Sequence, residues 1–158
     1  MSNFFNDTLS KQIFREELWT GSNLFTNIAV GTIEYLYIKT GASECVLSLD
    51  IVINGAFRVI LYEDSTISAD GTSVTNYNMR RSSSESLLAT TFHTPTVGAA
   101  GTAISTIATG DDGRIPKASA FDSDNGMILK ASSDYLVSLH AQSRPLTTAS
   151  VTWFLREI

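Results

Sequence analysis

Two apolar rows near the C-terminal end constrain the fold more than any other feature. Across Tyr135-Leu136-Val137-Ser138-Leu139-His140-Ala141, the residues Tyr135, Val137, Leu139 and Ala141 fall on one side of an extended backbone. Val151, Trp153 and Leu155 do the same further on, with Thr152 and Phe154 opposite. Side chains of a strand alternate sides, so each row can be buried as a unit. Met127-Ile128-Leu129-Lys130 leads into the first row. Ser143-Arg144-Pro145-Leu146-Thr147-Thr148 separates the two as a turn-like stretch whose proline supplies no ladder donor. The pattern predicts an antiparallel pair closing the domain, with Trp153 as its largest core residue.

Most of the preceding chain reads as further strands. Ile33, Tyr35 and Tyr37 alternate with Glu34, Leu36 and Ile38. Two strongly apolar runs, 45–53 and 56–62, flank Asn54-Gly55. Both residues tolerate the positive φ of a type I′ turn, so a hairpin is expected there. Its buried rows would be Leu47, Leu49, Ile51 and Ile53 on one strand and Phe57, Val59 and Leu61 on the other. Weaker extended stretches follow at 72–78, 87–93 and 102–108. The polar run Arg80-Arg81-Ser82-Ser83-Ser84-Glu85-Ser86, a loop at 98–101 and an acidic excursion at 110–125 lie between and after them. About eight short strands separated by turn signals predict an all-β, jelly-roll-like antiparallel β-sandwich. No repeat period supports a solenoid or propeller.

The first residues differ in character. Between Thr8 and Trp19, Leu9, Ile13, Phe14 and Leu18 recur near helical spacing among Lys11, Arg15, Glu16 and Glu17. Asp7 or Thr8 can cap such a helix, and Gly21 can end it. A short helix packed on its own domain and an arm that docks on a partner are both open readings. Phe4, Phe5, Phe14 and Trp19 would anchor the arm. The expected division is therefore an N-terminal arm or short helix at 1–27 and a β-sandwich at 28–158.

Composition narrows the function classes. A chain of 158 residues with 43% hydrophobic and 17% charged residues is one folded domain rather than a disordered segment. A net charge of −5 and a pI near 4.9 oppose wrapping of nucleic acid, which needs clustered cations. The single cysteine, Cys45, allows no intrachain disulfide and reads as a buried thiol. No basic n-region precedes an apolar h-region, and no apolar run reaches transmembrane length. Synthesis in a cytoplasm is expected. Asn6-Asp7-Thr8 matches a glycosylation sequon, which carries no weight without a secretory signal.

Catalytic signatures are sparse. There are two histidines, His93 and His140, too few for a zinc or cupin-type site, so no metal and no cofactor are expected. No Gly-x-Ser-x-Gly elbow occurs, and Gly98-Ala99-Ala100-Gly101-Thr102 lacks the Gly-Lys-Ser/Thr ending of a phosphate loop. Asp122-Ser123-Asp124-Asn125-Gly126 is similar to a calcium loop. Its glycine comes one place early, however, and Ser133 stands where the closing acid should be. Arg80 and Arg81 can grip a carboxylate or phosphate, with a solvated loop tip as the default. No enzymatic activity is expected.

An ordered set of four motifs resembles a family of small tailed-phage virion proteins described as head decoration, cement or head-fibre proteins. Asn78-Met79-Arg80-Arg81-Ser82-Ser83 is similar to the family's Asn-x-Asn-Arg-Asn-Ser element. Pro95-Thr96-Val97-Gly98-Ala99-Ala100-Gly101-Thr102 resembles its Pro-Thr-Val loop ending in Gly-Thr. Ile128-Leu129-Lys130, Asp134-Tyr135 and Trp153-Phe154-Leu155 then follow in the family's order. The match runs from about Gly55 to the end. Arg80 and Ser82 replace family asparagines, Phe154-Leu155 replaces a terminal Tyr-Glu, and Thr8–Trp19 has no counterpart.

The resemblance implies a jelly-roll-like fold, no catalysis, and attachment to the phage major capsid protein on the outer head surface. Self-association as a dimer or trimer goes with that role, and neither nucleic acid nor membrane is an expected partner. Phe4, Phe5, Phe14, Trp19, Arg80 and Arg81 are the expected capsid or subunit contacts. The rival expectation is a receptor- or glycan-binding fibre head presenting loops such as 82–86 and 111–124. The first thirty residues carry neither the coiled coil nor the β-repeat of a fibre shaft.

Overall fold

The structure is a computed structural model, and it describes residues 18–109, 117–120, 126–142 and 146–158. These residues form fourteen strands: β1 (Trp19–Ala29), β2 (Ile33–Lys39), β3 (Cys45–Ile53), β4 (Phe57–Glu63), β5 (Thr66–Ala69), β6 (Thr72–Val74), β7 (Tyr77–Asn78), β8 (Thr90–His93), β9 (Thr96–Ala99), β10 (Thr102–Thr109), β11 (Lys117–Ala120), β12 (Met127–Leu129), β13 (Asp134–Ala141) and β14 (Leu146–Glu157). Sheet A runs β11-β3-β14-β1-β7, and β12 continues the β11 edge along β3. Sheet B runs β10-β4-β13-β2-β8-β6, and β5 and β9 make a separate ribbon.

The fold is an all-β, jelly-roll-like sandwich. Successive framework strands alternate between the sheets: β1, β3 and β14 lie in sheet A, while β2, β4 and β13 lie in sheet B. The first strand pairs with the last, from Trp19 opposite Leu155 to Ala29 opposite Leu146. With β11 and β12 taken as one edge, four positions in sheet A face four in sheet B, the double Greek key of a jelly roll. The excursion between β4 and β10 holds β5 to β9 and extends both sheets beyond this framework.

Alternation explains the core. Cys45, Leu47, Leu49, Ile51 and Ile53 of β3 and Ala149, Val151, Trp153 and Leu155 of β14 point inward from sheet A. Leu36 and Ile38, Phe57, Val59 and Leu61, and Tyr135, Val137 and Leu139 meet them from sheet B. Each large side chain removed from water here contributes about 1.5–3 kcal/mol. Trp153 is fully buried and heads the core by volume, as its place in the alternating row predicts.

Strand partners differ from the sequence reading in two places. The runs 45–53 and 56–62 do not form a hairpin: β3 pairs with β14, β11 and β12, whereas β4 pairs with β13 and β10. Neither Asn54 nor Gly55 has the positive φ that a type I′ turn demands. Asn54 instead hooks the crossover to β14: its Oδ1 accepts from Thr148 N at 2.7 Å, and its N–H donates to Thr148 O at 3.3 Å. Similarly, β13 and β14 are not a pair but face each other across the sandwich. Alternation fixes which face is buried, and that face is the same in a hairpin and in a crossover.

The N-terminal boundary also moves. Residues 19–27, grouped on sequence with the arm, make up most of β1, while residues 1–17, which hold most of the expected arm or short helix, lie outside the described residues. Trp19, Gly21 and Phe25 are buried on a period of two, but the register shifts before Ile28, with Asn27 at φ 57°. A bulge breaks the alternation that would otherwise have marked the strand. Gly21 does not end a helix. It sits opposite Trp153 in mid-strand, where an added Cβ would come within 2.6 Å of the indole. The stretch 98–101 is likewise not all loop, since β9 extends to Ala99.

Candidate binding cleft and outer sheet face

The two sheets are stitched together at one edge by Asn76, between β6 and β7. Its Oδ1 accepts from Trp153 Nε1 at 2.8 Å and from Thr91 Oγ1 at 3.2 Å. Thr91 is in sheet B and Trp153 in sheet A. An indole N–H can only donate, so the carboxamide is held with its oxygen inward and its NH2 group turned away. Thr91 Oγ1 also reaches Val74 O at 3.2 Å.

A cleft of about 460 Å³ opens beside this stitch, between the β6–β7 segment and the loop that returns to β8. The loop is tied at both ends. Met79 N donates to Leu18 O at 2.9 Å, and Arg80 N donates to Asn78 Oδ1 at 2.8 Å. At the far end, Glu157 Oε1 accepts from Leu88 N at 2.7 Å and Ala89 N at 3.1 Å. Within the loop, Ser83 N donates to Arg80 O at 2.9 Å and Glu85 N to Ser83 Oγ at 3.0 Å. Tyr77 is half-exposed at 51%, and the Arg81 guanidinium lies over its ring, 4.7 Å from the centroid. A second cleft of about 420 Å³ shares Ser73, Val74 and Tyr77 and continues toward Thr20 and His93.

The outer faces of the sheets are unlike. On sheet B, Leu136 and Tyr37 point away from the inter-sheet core yet are 0% and 1% exposed. Tyr37 stacks on Phe92 at 5.4 Å and donates its hydroxyl to Asp134 Oδ1 at 2.6 Å. Burial first, then that bond and the Asp134 and Asp70 charges, raise the Tyr37 pKa. Asp70 directly follows β5, so the β5–β9 ribbon ends near this face. On sheet A three outward apolar side chains reach solvent instead. Leu24, Val52 and Ile128 are 60%, 40% and 58% exposed on it, with Ser150 between Leu24 and Val52 in register.

Other reactive groups are subdued. His140 Nε2 lies 2.8 Å from Ser138 Oγ, but that hydroxyl is buried and also reaches Ile60 O at 3.4 Å. Burial first, then the Arg58 charge, lowers the His140 pKa. Burial raises the Cys45 thiol to about 12, reinforced by Glu157. At the opposite end of β13, Lys130 Nζ donates to Glu63 Oε1 at 2.6 Å, and Tyr135 Oη donates to Glu63 Oε2 at 3.2 Å. Among the described residues, no three His, Cys, Asp or Glu side chains are grouped to hold a metal ion.

Of the contact residues expected from sequence, Arg80 and Arg81 line the cleft together. Trp19 is 7% exposed and packs within its own chain while forming part of the cleft wall, so it is not an exposed docking anchor. The inward alternation of β1 put it there. Phe4, Phe5 and Phe14 lie outside the described residues, as do Asp122 and Asp124. Asn76 and Tyr77 lie within a stretch that reads from sequence simply as extended. An aromatic flanked by Asn76 and Asn78 just before paired arginines is the signal that marks them.

No family model matches the chain. No curated protein matches it either. Among solved structures, it aligns with the structure of the infectious bursal disease virus Gt strain at 14% identity, covering 89% of this chain and 42% of that one, with a TM-score of 0.17. The T=1 particles derived from infectious bursal virus align at 11% identity over 87% of this chain and 40% of that one, also at 0.17. The chain spans about two fifths of the length of those viral chains. At that score the alignments carry no argument about fold or function.

Proposed function

We propose that this chain is a phage capsid decoration protein that binds the major capsid protein on the outer head surface and reinforces the shell. The observation that carries the reading is the outward side of sheet A, where Leu24, Val52 and Ile128 are exposed. Apolar side chains left exposed across one sheet face suit attachment to another protein. The ordered motifs between Gly55 and Leu155 support the same reading through their resemblance to head decoration proteins. A net charge of −5 suits the outside of a DNA-filled shell better than its interior. Copies that associate as a dimer or trimer would touch several capsid subunits at once, so modest contacts add through multivalency. The role requires no catalysis.

The test is cosedimentation with heads that lack the protein, comparing the native chain with a Leu24→Lys/Val52→Lys variant. Both positions are exposed, so the variant should fold normally. Saturable binding that the double variant loses supports attachment through sheet A. Equal binding by both would move the contact elsewhere, and no binding by either would refute shell attachment.

A further inference from the structure

We infer that the cleft beside Tyr77 binds a carboxylate-bearing saccharide. Its volume of about 460 Å³ falls within the ~300–1,000 Å³ range of small-molecule sites. The two amide hydrogens of Asn76 remain for a ligand, because its oxygen is committed to Trp153 and Thr91. That commitment fixes the donor direction before any ligand arrives, which lowers the ordering cost of binding. The Arg81 guanidinium lies over the Tyr77 ring, 4.7 Å from its centroid, and this exposed side chain can present its N–H groups to a planar carboxylate.

The mixture of groups selects among oxygen-rich ligands. Arg81 and Glu85 both line the cleft, so it offers one cationic donor beside one anionic acceptor. Glu85 would repel a bare polyanion such as phosphate, yet it can accept from sugar hydroxyls. Ser86 can either donate or accept. The half-exposed Tyr77 ring offers an apolar surface for the C–H face of a sugar. A ligand with hydroxyls, an apolar ring face and one carboxylate satisfies all of these groups together. A simple anion satisfies only Arg81.

This inference does not depend on attachment to a capsid, since the isolated chain carries the whole cleft. The experiment is NMR titration and calorimetry of the intact protein with hyaluronan tetrasaccharide and trigalacturonate, against cellotetraose and inorganic phosphate. The native chain should bind at least one acidic saccharide, with shifts at Asn76 and Tyr77, and bind cellotetraose more weakly. Arg81→Ala should weaken acidic-saccharide binding about tenfold or more, with Arg81→Lys between the two. Circular dichroism and melting should show both variants folded, since Arg81 is exposed. Three results would overturn the inference: no acidic saccharide binding, phosphate binding equal to that of the saccharides, or affinity unchanged by Arg81→Ala.

Discussion

Trp153 and Asn76, which are 77 residues apart, meet across the edge of the sandwich with the indole Nε1 2.8 Å from the carboxamide oxygen. The largest buried side chain thereby has its polar atom satisfied, and the same bond sets the wall of the adjoining cleft. Stability and site geometry are coupled through one amide. Replacing Asn76 by Ala leaves a buried indole N–H without its acceptor and should cost about 1–3 kcal/mol. Denaturant unfolding followed by Trp fluorescence measures this. A midpoint equal to that of the native chain would mean water replaces the amide at no cost.

Gly21 makes room for that indole from the neighbouring strand. An alanine Cβ would lie 2.6 Å from the ring, so Gly21→Ala should destabilise by about 1–3 kcal/mol through overpacking. The loss should be smaller in a Trp153→Phe background, where the overlapping half of the indole is absent. A double-mutant cycle reads this coupling directly. Additive costs would show that the two positions do not compete for space.

His140 supplies a pH signature. Its pKa is lowered in the folded chain, chiefly by burial and then by Arg58, from an ordinary value of 6.5. As pH falls below that value, the unfolded chain takes up a proton that the folded chain resists, so stability declines. The decline is complete once pH passes below the folded pKa. His140→Gln should therefore flatten the fall in melting temperature that begins near pH 6.5 on acidification. An unaltered slope in the variant would assign the pH dependence to the carboxylates instead.

Cys45 should be silent toward thiol reagents. It is fully buried, and its thiol is raised to about 12, so little thiolate exists at pH 8 and none is accessible. Ellman's reagent should label the chain only at the rate of global unfolding, and fully in denaturant. Rapid labelling of the native protein would show that the start of β3 opens locally.

Which residues face the core was legible in the sequence, because an apolar residue recurs at every second position from Leu47 to Ile53, Phe57 to Leu61 and Tyr135 to Ala141. Which strands pair was not. A period of two reports the buried face without naming the neighbour, so the crossover at Asn54-Gly55 has the same pattern as a hairpin. β1 escaped notice because a bulge interrupts its period and Gly21 places no side chain in the core row. Asn76 was invisible for a different reason: its role depends on Trp153, a contact that no local window contains. Arg80 and Arg81 stood out from their composition alone, whereas the ring that seats Arg81 did not.

Occupancy of heads purified without this protein measures shell attachment itself. Increasing amounts of the native chain are added, the heads are pelleted, and copies bound are counted alongside the heads' resistance to heat. Saturation at a fixed number of copies per head, with heat resistance rising in step, is the predicted result. Heads that pellet without the protein would rule out shell attachment, and heads that bind it with no gain in heat resistance would rule out a reinforcing role.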